Sequence, residues 1–77
     1  MEINEFVKNI ASLFEDEDPT IFNIDTDFHE LDSWSSLTSL SLVGMIYQEY
    51  GVELDTHDIR NADTIGDLYN IVLQNQK

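Results

Sequence analysis

Five serines fall within nine residues: Ser33, Ser35, Ser36, Ser39 and Ser41, in the run LDSWSSLTSLSLV (31–43). A hydroxyl does chemistry in one of two ways. It attacks, when a neighbouring base takes its proton, or it accepts a group that another catalyst delivers. For attack, the only suitable bases are His29 and His57, and no G-x-S-x-G elbow surrounds any serine. Both histidines read as surface residues in loops. Without cysteine there is no thiolate nucleophile, thiolate metal site or disulfide. A calcium loop is the next test for an acidic chain. Counted from Asp25, the EF-hand pattern wants Gly at position 6 and Glu at position 12. Glu30 and Ser36 stand there instead. The EDED run (15–18) has carboxylates without ordered spacing, which suits weak surface cation binding only. Gly44, Gly51 and Gly66 are isolated, so no glycine-rich loop cradles a phosphate. What is left is a serine that receives a group. Ser36 stands at the start of a helical pattern, where unpaired N–H groups and a partial positive charge favour a phosphate. A bare phosphate would only add repulsion, whereas a phosphodiester could tether something longer.

That serine must be held by a small molecule. The chain has 77 residues, 42% of them apolar, which reads as a single domain over 1–77 with one core. Sixteen Asp and Glu oppose three Lys and Arg, for a formal net charge of −13 with both histidines neutral. Phosphate backbones and anionic lipid are repelled by such a chain, so nucleic acid and membrane are poor partners. No run approaches the roughly 20 apolar residues of a membrane span. The N-terminus lacks the basic start and apolar stretch of a signal peptide, and a cytoplasmic location is expected.

Apolar spacing of three and four places Ile3, Phe6, Val7, Ile10, Leu13 and Phe14 on one helical face. This predicts a helix near 3–15, stopped by the acids and Pro19. A long loop over 16–35 follows, pinned by Ile21, Phe22, Ile24, Phe28 and Leu31; loops of this length tend to be functional. The second helix is expected over 36–50, with Leu37, Leu40, Val43, Ile46, Tyr47 and Tyr50 inward, Met45 outward and Gly51 as its stop. VELD (52–55) is extended. Residues 56–61 make a short helix, and Thr64 with Asp67 forms a capping box that starts the last helix over 65–75. The expected core is Phe6, Ile10, Phe14, Phe28, Leu40, Val43, Ile46, Tyr50, Ile59, Leu68 and Ile71.

These residues resemble an acyl carrier protein of the phosphopantetheine-binding superfamily. The family carries D-S-L, often W-D-S-L, at the start of its second helix, and WSSL (34–37) stands in that place. FHELDSW (28–34) is similar to the family's approach to the motif. QEYGVEL (48–54) is similar to its E-E-F-x-I-E-I stretch, and DTIGDLYNIV (63–72) to the approach to its last helix. The resemblance implies an all-α, four-helix bundle, three main helices plus one short helix. It implies a carrier and not an enzyme, with 4′-phosphopantetheine from coenzyme A esterified to Ser36 and acyl intermediates held as thioesters on its thiol. The pathway would be fatty-acid biosynthesis or a specialised acyl or polyketide-type route. Implied partners are a phosphopantetheinyl transferase and acyl-processing enzymes with basic patches, met by a monomer.

The departure from the family is Ser35, where it has Asp at the transferase's docking point. Ser35 reads as an N-cap, and the register, with Leu37 next to the modified serine, favours Ser36 over Ser33 and Ser35. Ser39 either borders an acyl-sheltering cavity or bonds back to its own helix. Trp34 either staples the loop to the core or packs against the arm. Between 36 and 50, Glu49 is the only charge, a hint of a dedicated pathway. The rival reading is a carrier-like module that has lost its modification and only binds protein.

Overall fold

The computed structural model describes residues 2–76. Its helices are α1 (Ile3–Ala11), α2 (Ser36–Tyr50), α3 (Thr56–Asn61) and α4 (Ile65–Asn75). No strand occurs among the described residues. The all-helical, four-helix architecture expected from the apolar stripes is the one that forms. Two short 3₁₀ turns, Pro19–Ile21 and Phe28–Glu30, punctuate the long segment between α1 and α2.

α1 begins at Glu2, whose carboxylate accepts the N–H groups of Asn4 (3.0 Å) and Glu5 (2.9 Å). Those bonds hold the Glu2 carboxyl below the usual range. The helix ends at Ala11, four residues earlier than the spacing predicts. The Ser12 hydroxyl donates to the Asn9 carbonyl (2.7 Å), and the N–H groups of Leu13 and Phe14 reach back only three residues, to Ile10 and Ala11. Tightening of this kind closes a helix. It also turns Phe14 inward, with its ring centroid 5.4 Å from that of Phe22.

The segment from 12 to 35 is ordered by its own polar groups. Asp18 caps the first 3₁₀ turn through Thr20, which lowers its carboxyl below the ordinary range. Asp27 caps the second through His29 (3.0 Å). Between them the chain runs along the start of α4. The Ile65 N–H donates to the Thr26 carbonyl (3.1 Å) and the Gly66 N–H to the Ile24 carbonyl (2.8 Å). A Cβ on Gly66 would lie 2.9 Å from that same Ile24 oxygen, so glycine permits the approach. Of the five expected anchors, Phe22 and Phe28 are buried and Leu31 is half-buried. Ile21 and Ile24 are exposed; at Ile24 the backbone carbonyl, not the side chain, makes the attachment to α4.

One core joins all four helices: Phe6 and Ile10 of α1, Leu42 and Ile46 of α2, Ile59 of α3, and Ile65, Leu68 and Val72 of α4. Phe14, Phe22, Phe28, Val52, Leu54 and Ala62 complete it from the connections. In α4, Val72 takes the deep position and Ile71 is half-buried. The largest correction concerns α2. Leu37, Leu40 and Tyr47 are 76, 58 and 60% exposed. Leu42 is fully buried, Met45 packs on the core, and Val43 and Tyr50 sit at its edge. The inward face is turned by about a quarter of a turn from the expected one. Apolar residues occur on nearly every side of this helix, so its own pattern does not choose a face. The neighbours choose, by seating Leu42 and Ile46. Gly51 ends α2 with φ +67° and donates to the Tyr47 carbonyl (2.9 Å), the left-handed stop expected of it.

Candidate functional site

The serine cluster divides sharply once α2 is in place. Ser33 precedes the helix, and its hydroxyl donates to a Glu17 carboxylate oxygen (2.9 Å), with its N–H reaching the same oxygen at 3.4 Å. Ser35 has extended backbone and is the N-cap: its Oγ accepts the Thr38 N–H at 3.3 Å and lies 3.2 Å from the Thr38 hydroxyl. The Thr38 hydroxyl in turn donates to the Ser33 carbonyl (3.2 Å). Ser36 is the first residue of α2 and is exposed. Its hydroxyl has no partner among the described residues, and neither has its N–H nor that of Leu37. Two N–H groups at the positive end of a 15-residue helix therefore stand unpaired beside an uncommitted hydroxyl.

Ser36 opens onto a groove of about 340 Å³ between the start of α2 and α3. Ser35 lines it from the cap, Ser39 and Leu40 from α2, and Thr56 and Arg60 from α3. Trp34 and His29 line it from the preceding segment. Trp34 stacks on Phe14 (centroids 6.3 Å apart) and meets Phe28 at 5.2 Å, so the residue next to the cluster is fixed to the core. His29 is half-buried and not a free loop histidine as expected. Its Nε2–H donates to the Ile59 carbonyl (3.1 Å), and its ring stands edge-on to Trp34. That bond ties the loop to α3 beside the groove that His29 lines. His57 is exposed and pairs with Asn61. Leu37 does not line the groove; like Leu40 and Tyr47 it is an exposed residue of α2.

A second groove, about 1060 Å³, runs between α1 and residues 14–24. None of the five residues singled out at the serine run (Trp34, Ser35, Ser36, Leu37 and Ser39) lines it, so size alone does not locate the chemistry. Spacing alone missed Thr56, Arg60 and His29. The signal for Arg60 was compositional: it is the only arginine of a strongly acidic chain. Glu17 as the partner of Ser33 left no local signal, since sixteen residues separate them.

The surroundings of Ser36 suit an anionic ester. The hydroxyl is accessible, backbone donors stand beside it, and a guanidinium lines the groove. None of the carboxylates does. No group of three or more His, Cys, Asp or Glu among the described residues is arranged for a metal, and no helix there is long and apolar enough to cross a membrane. No curated protein and no solved structure matches the chain. The family model for phosphopantetheine attachment sites matches residues 5–72, a span that takes in all of α2 and α3 and most of α1 and α4. On that match the chain belongs to the phosphopantetheine-attachment family, whose domains are carriers of covalently bound 4′-phosphopantetheine.

Proposed function

We propose that Ser36 Oγ bears the 4′-phosphopantetheine arm and that the chain is an acyl carrier, serving fatty-acid synthesis or a specialised acyl or polyketide-type pathway. One observation carries the choice of serine. Of the three candidates at the motif, Ser33 is committed to Glu17 and Ser35 to the helix cap, while Ser36 is exposed with a free hydroxyl. When bound, the arm supplies a thiol that holds acyl groups, and tethering presents them to each enzyme at high effective concentration. The chain's own residues do the rest. Ser35 orders the first turn so that Ser36 stays at the surface. Trp34 and His29 hold the groove wall. The uncharged stripe of Leu37, Leu40 and Tyr47 offers partners an apolar contact. The surrounding carboxylates steer encounters with basic patches on the transferase and the acyl-processing enzymes. A monomer in the cytoplasm, without catalytic activity of its own, fits this role.

Ser35 supports a second reading, an interaction module without the arm, because the family's docking Asp is missing there. The two readings part on mass. Incubation with a phosphopantetheinyl transferase and coenzyme A adds one phosphopantetheine to the wild-type chain and none to Ser36→Ala if the carrier reading holds. An unchanged mass with several transferases, for wild type and Ser35→Asp alike, leaves the interaction module.

A further inference from the structure

The chain has three cations: Lys8, Arg60 and Lys77. Lys8 lines the groove beside α1, and Lys77 lies outside the described residues. Arg60 lines the groove at Ser36. Sixteen carboxylates compete for so few cations, yet the Arg60 guanidinium forms no ion pair or hydrogen bond among the described residues. Its backbone, by contrast, is firmly held. Asp55 and Asp58 close a capping box at the start of α3, the adjoining Ile59 is fully buried, and the Ile59 carbonyl takes the His29 Nε2–H. Thr56 lies one turn back on the same face and lines the same groove.

We propose that Arg60 is the charge partner of the phosphodiester borne by Ser36, drawing the root of the arm across the groove toward α3. The assignment rests on the attachment reading above. A phosphodiester keeps one negative charge at neutral pH, and on a chain of −13 it meets repulsion from nearly every side. The groove is the exception, with a cation present and carboxylates absent from its walls. A guanidinium suits this task better than an ammonium, because its planar fork matches two phosphate oxygens at once. Thr56 adds a hydroxyl donor from the same helix face. Arg60 is a positioning residue here: it restricts the direction in which the arm leaves the protein and takes no part in transfer.

The test uses the loaded protein and reads resonances. Wild type, Arg60→Gln and Arg60→Lys are each loaded with transferase and coenzyme A, and phosphorus-31 and Arg60 Nε–H spectra are recorded before and after. Loading is expected to shift the Arg60 Nε–H resonance. The phosphorus resonance of Arg60→Gln should differ from that of wild type, with Arg60→Lys between them. High salt, near 1 M, should shrink the difference, since the Debye length is then about 3 Å. A loaded wild type whose Arg60 Nε–H does not move, with a phosphorus resonance identical in Arg60→Gln, overturns the assignment and leaves attachment standing. A wild type that takes no arm overturns both.

Discussion

The starts of α2 and α4 are alike in sequence and opposite in structure. Each is capped by a hydroxyl residue in extended conformation, Ser35 or Thr64. At α4 the Asp67 carboxylate reaches back to the Thr64 N–H and completes the box. All four leading N–H groups of α4 are then bonded: Ile65 to Thr26, Gly66 to Ile24, and Asp67 and Leu68 to Thr64. At α2 the equivalent third residue is Thr38, and the N–H groups of Ser36 and Leu37 stay open. One helix start is covered by a loop; the other projects from the core, which grips α2 only from Leu42 onward. A covered start contributes stability. An open one leaves room for a group to be delivered, held and presented to other proteins.

The largest effect is expected where the core seats α2. Leu42→Ala removes a fully buried side chain and is expected to cost about 2–5 kcal/mol. Leu40→Ala, at an exposed position in the same helix, should stay within about 0.5 kcal/mol of wild type in denaturant melts. Similar losses for the two would mean that α2 is seated on the face its own spacing suggested.

Two glycine substitutions sharpen the contrast between covered and open helices. Gly66→Ala places a methyl 2.9 Å from the Ile24 oxygen, and forcing the loop off α4 should cost about 1–3 kcal/mol. Gly44→Ala meets nothing within 4 Å on α2 and should stabilise by about 0.5–1 kcal/mol, from helix propensity alone. Thermal melts of the pair should therefore move in opposite directions.

The caps come next in size. Thr64→Ala should cost about 1 kcal/mol, since it opens a complete box. Ser35→Ala loses one longer, exposed bond and should cost less. Ser35→Asp keeps an acceptor and adds a negative charge where the helix favours one, so it should melt no lower than wild type. A larger loss for Ser35→Ala than for Thr64→Ala would contradict the account of α2 as the open start.

The far end of α2 makes the smallest prediction, one of pH. The Tyr50 hydroxyl accepts from Asn9 Nδ2 at 2.7 Å and links α2 to α1. Burial pushes its ionisation above the usual tyrosine value; Asn9 opposes the shift, and Glu5 and Glu49 add to it. A raised value means that the folded state favours the protonated phenol. That contribution is fully present below the ordinary tyrosine value near 10 and is lost as pH rises through the folded one. Stability should therefore fall on the alkaline side, and Tyr50→Phe should flatten that limb. An identical limb in Tyr50→Phe would place the loss elsewhere.

Some of this was legible in the residues and some was not, for physical reasons. α1 and α4 announce themselves, because Phe6 and Ile10, and Ile65, Leu68 and Val72, recur at helical spacing against polar neighbours. Gly51 and the Thr64–Asp67 pair are local signals, and local signals survive folding. The face of α2 was not legible. Leu37, Leu40 and Tyr47 match Leu42 and Ile46 in polarity, so tertiary packing decides between them. The early end of α1 was hidden for a similar reason: Leu13 and Phe14 continue the apolar spacing while Ser12 closes the helix. At the site, Ser35 as N-cap was readable from its type and place. The bonds from Ser33 to Glu17 and from His29 to Ile59 join residues far apart in the chain, and no spacing rule reaches them.

The central claim is that the open start of α2 holds the arm on Ser36. The direct measurement is fragmentation mass spectrometry of the peptide spanning residues 31–43, taken from wild type, Ser36→Ala, Ser35→Ala and Ser35→Asp after one incubation with transferase and coenzyme A. Phosphopantetheine is expected on Ser36 in every chain that retains it, none on Ser36→Ala, and faster loading of Ser35→Asp than of wild type. An arm found on Ser33 or Ser35, or a fully loaded Ser36→Ala, would contradict the claim.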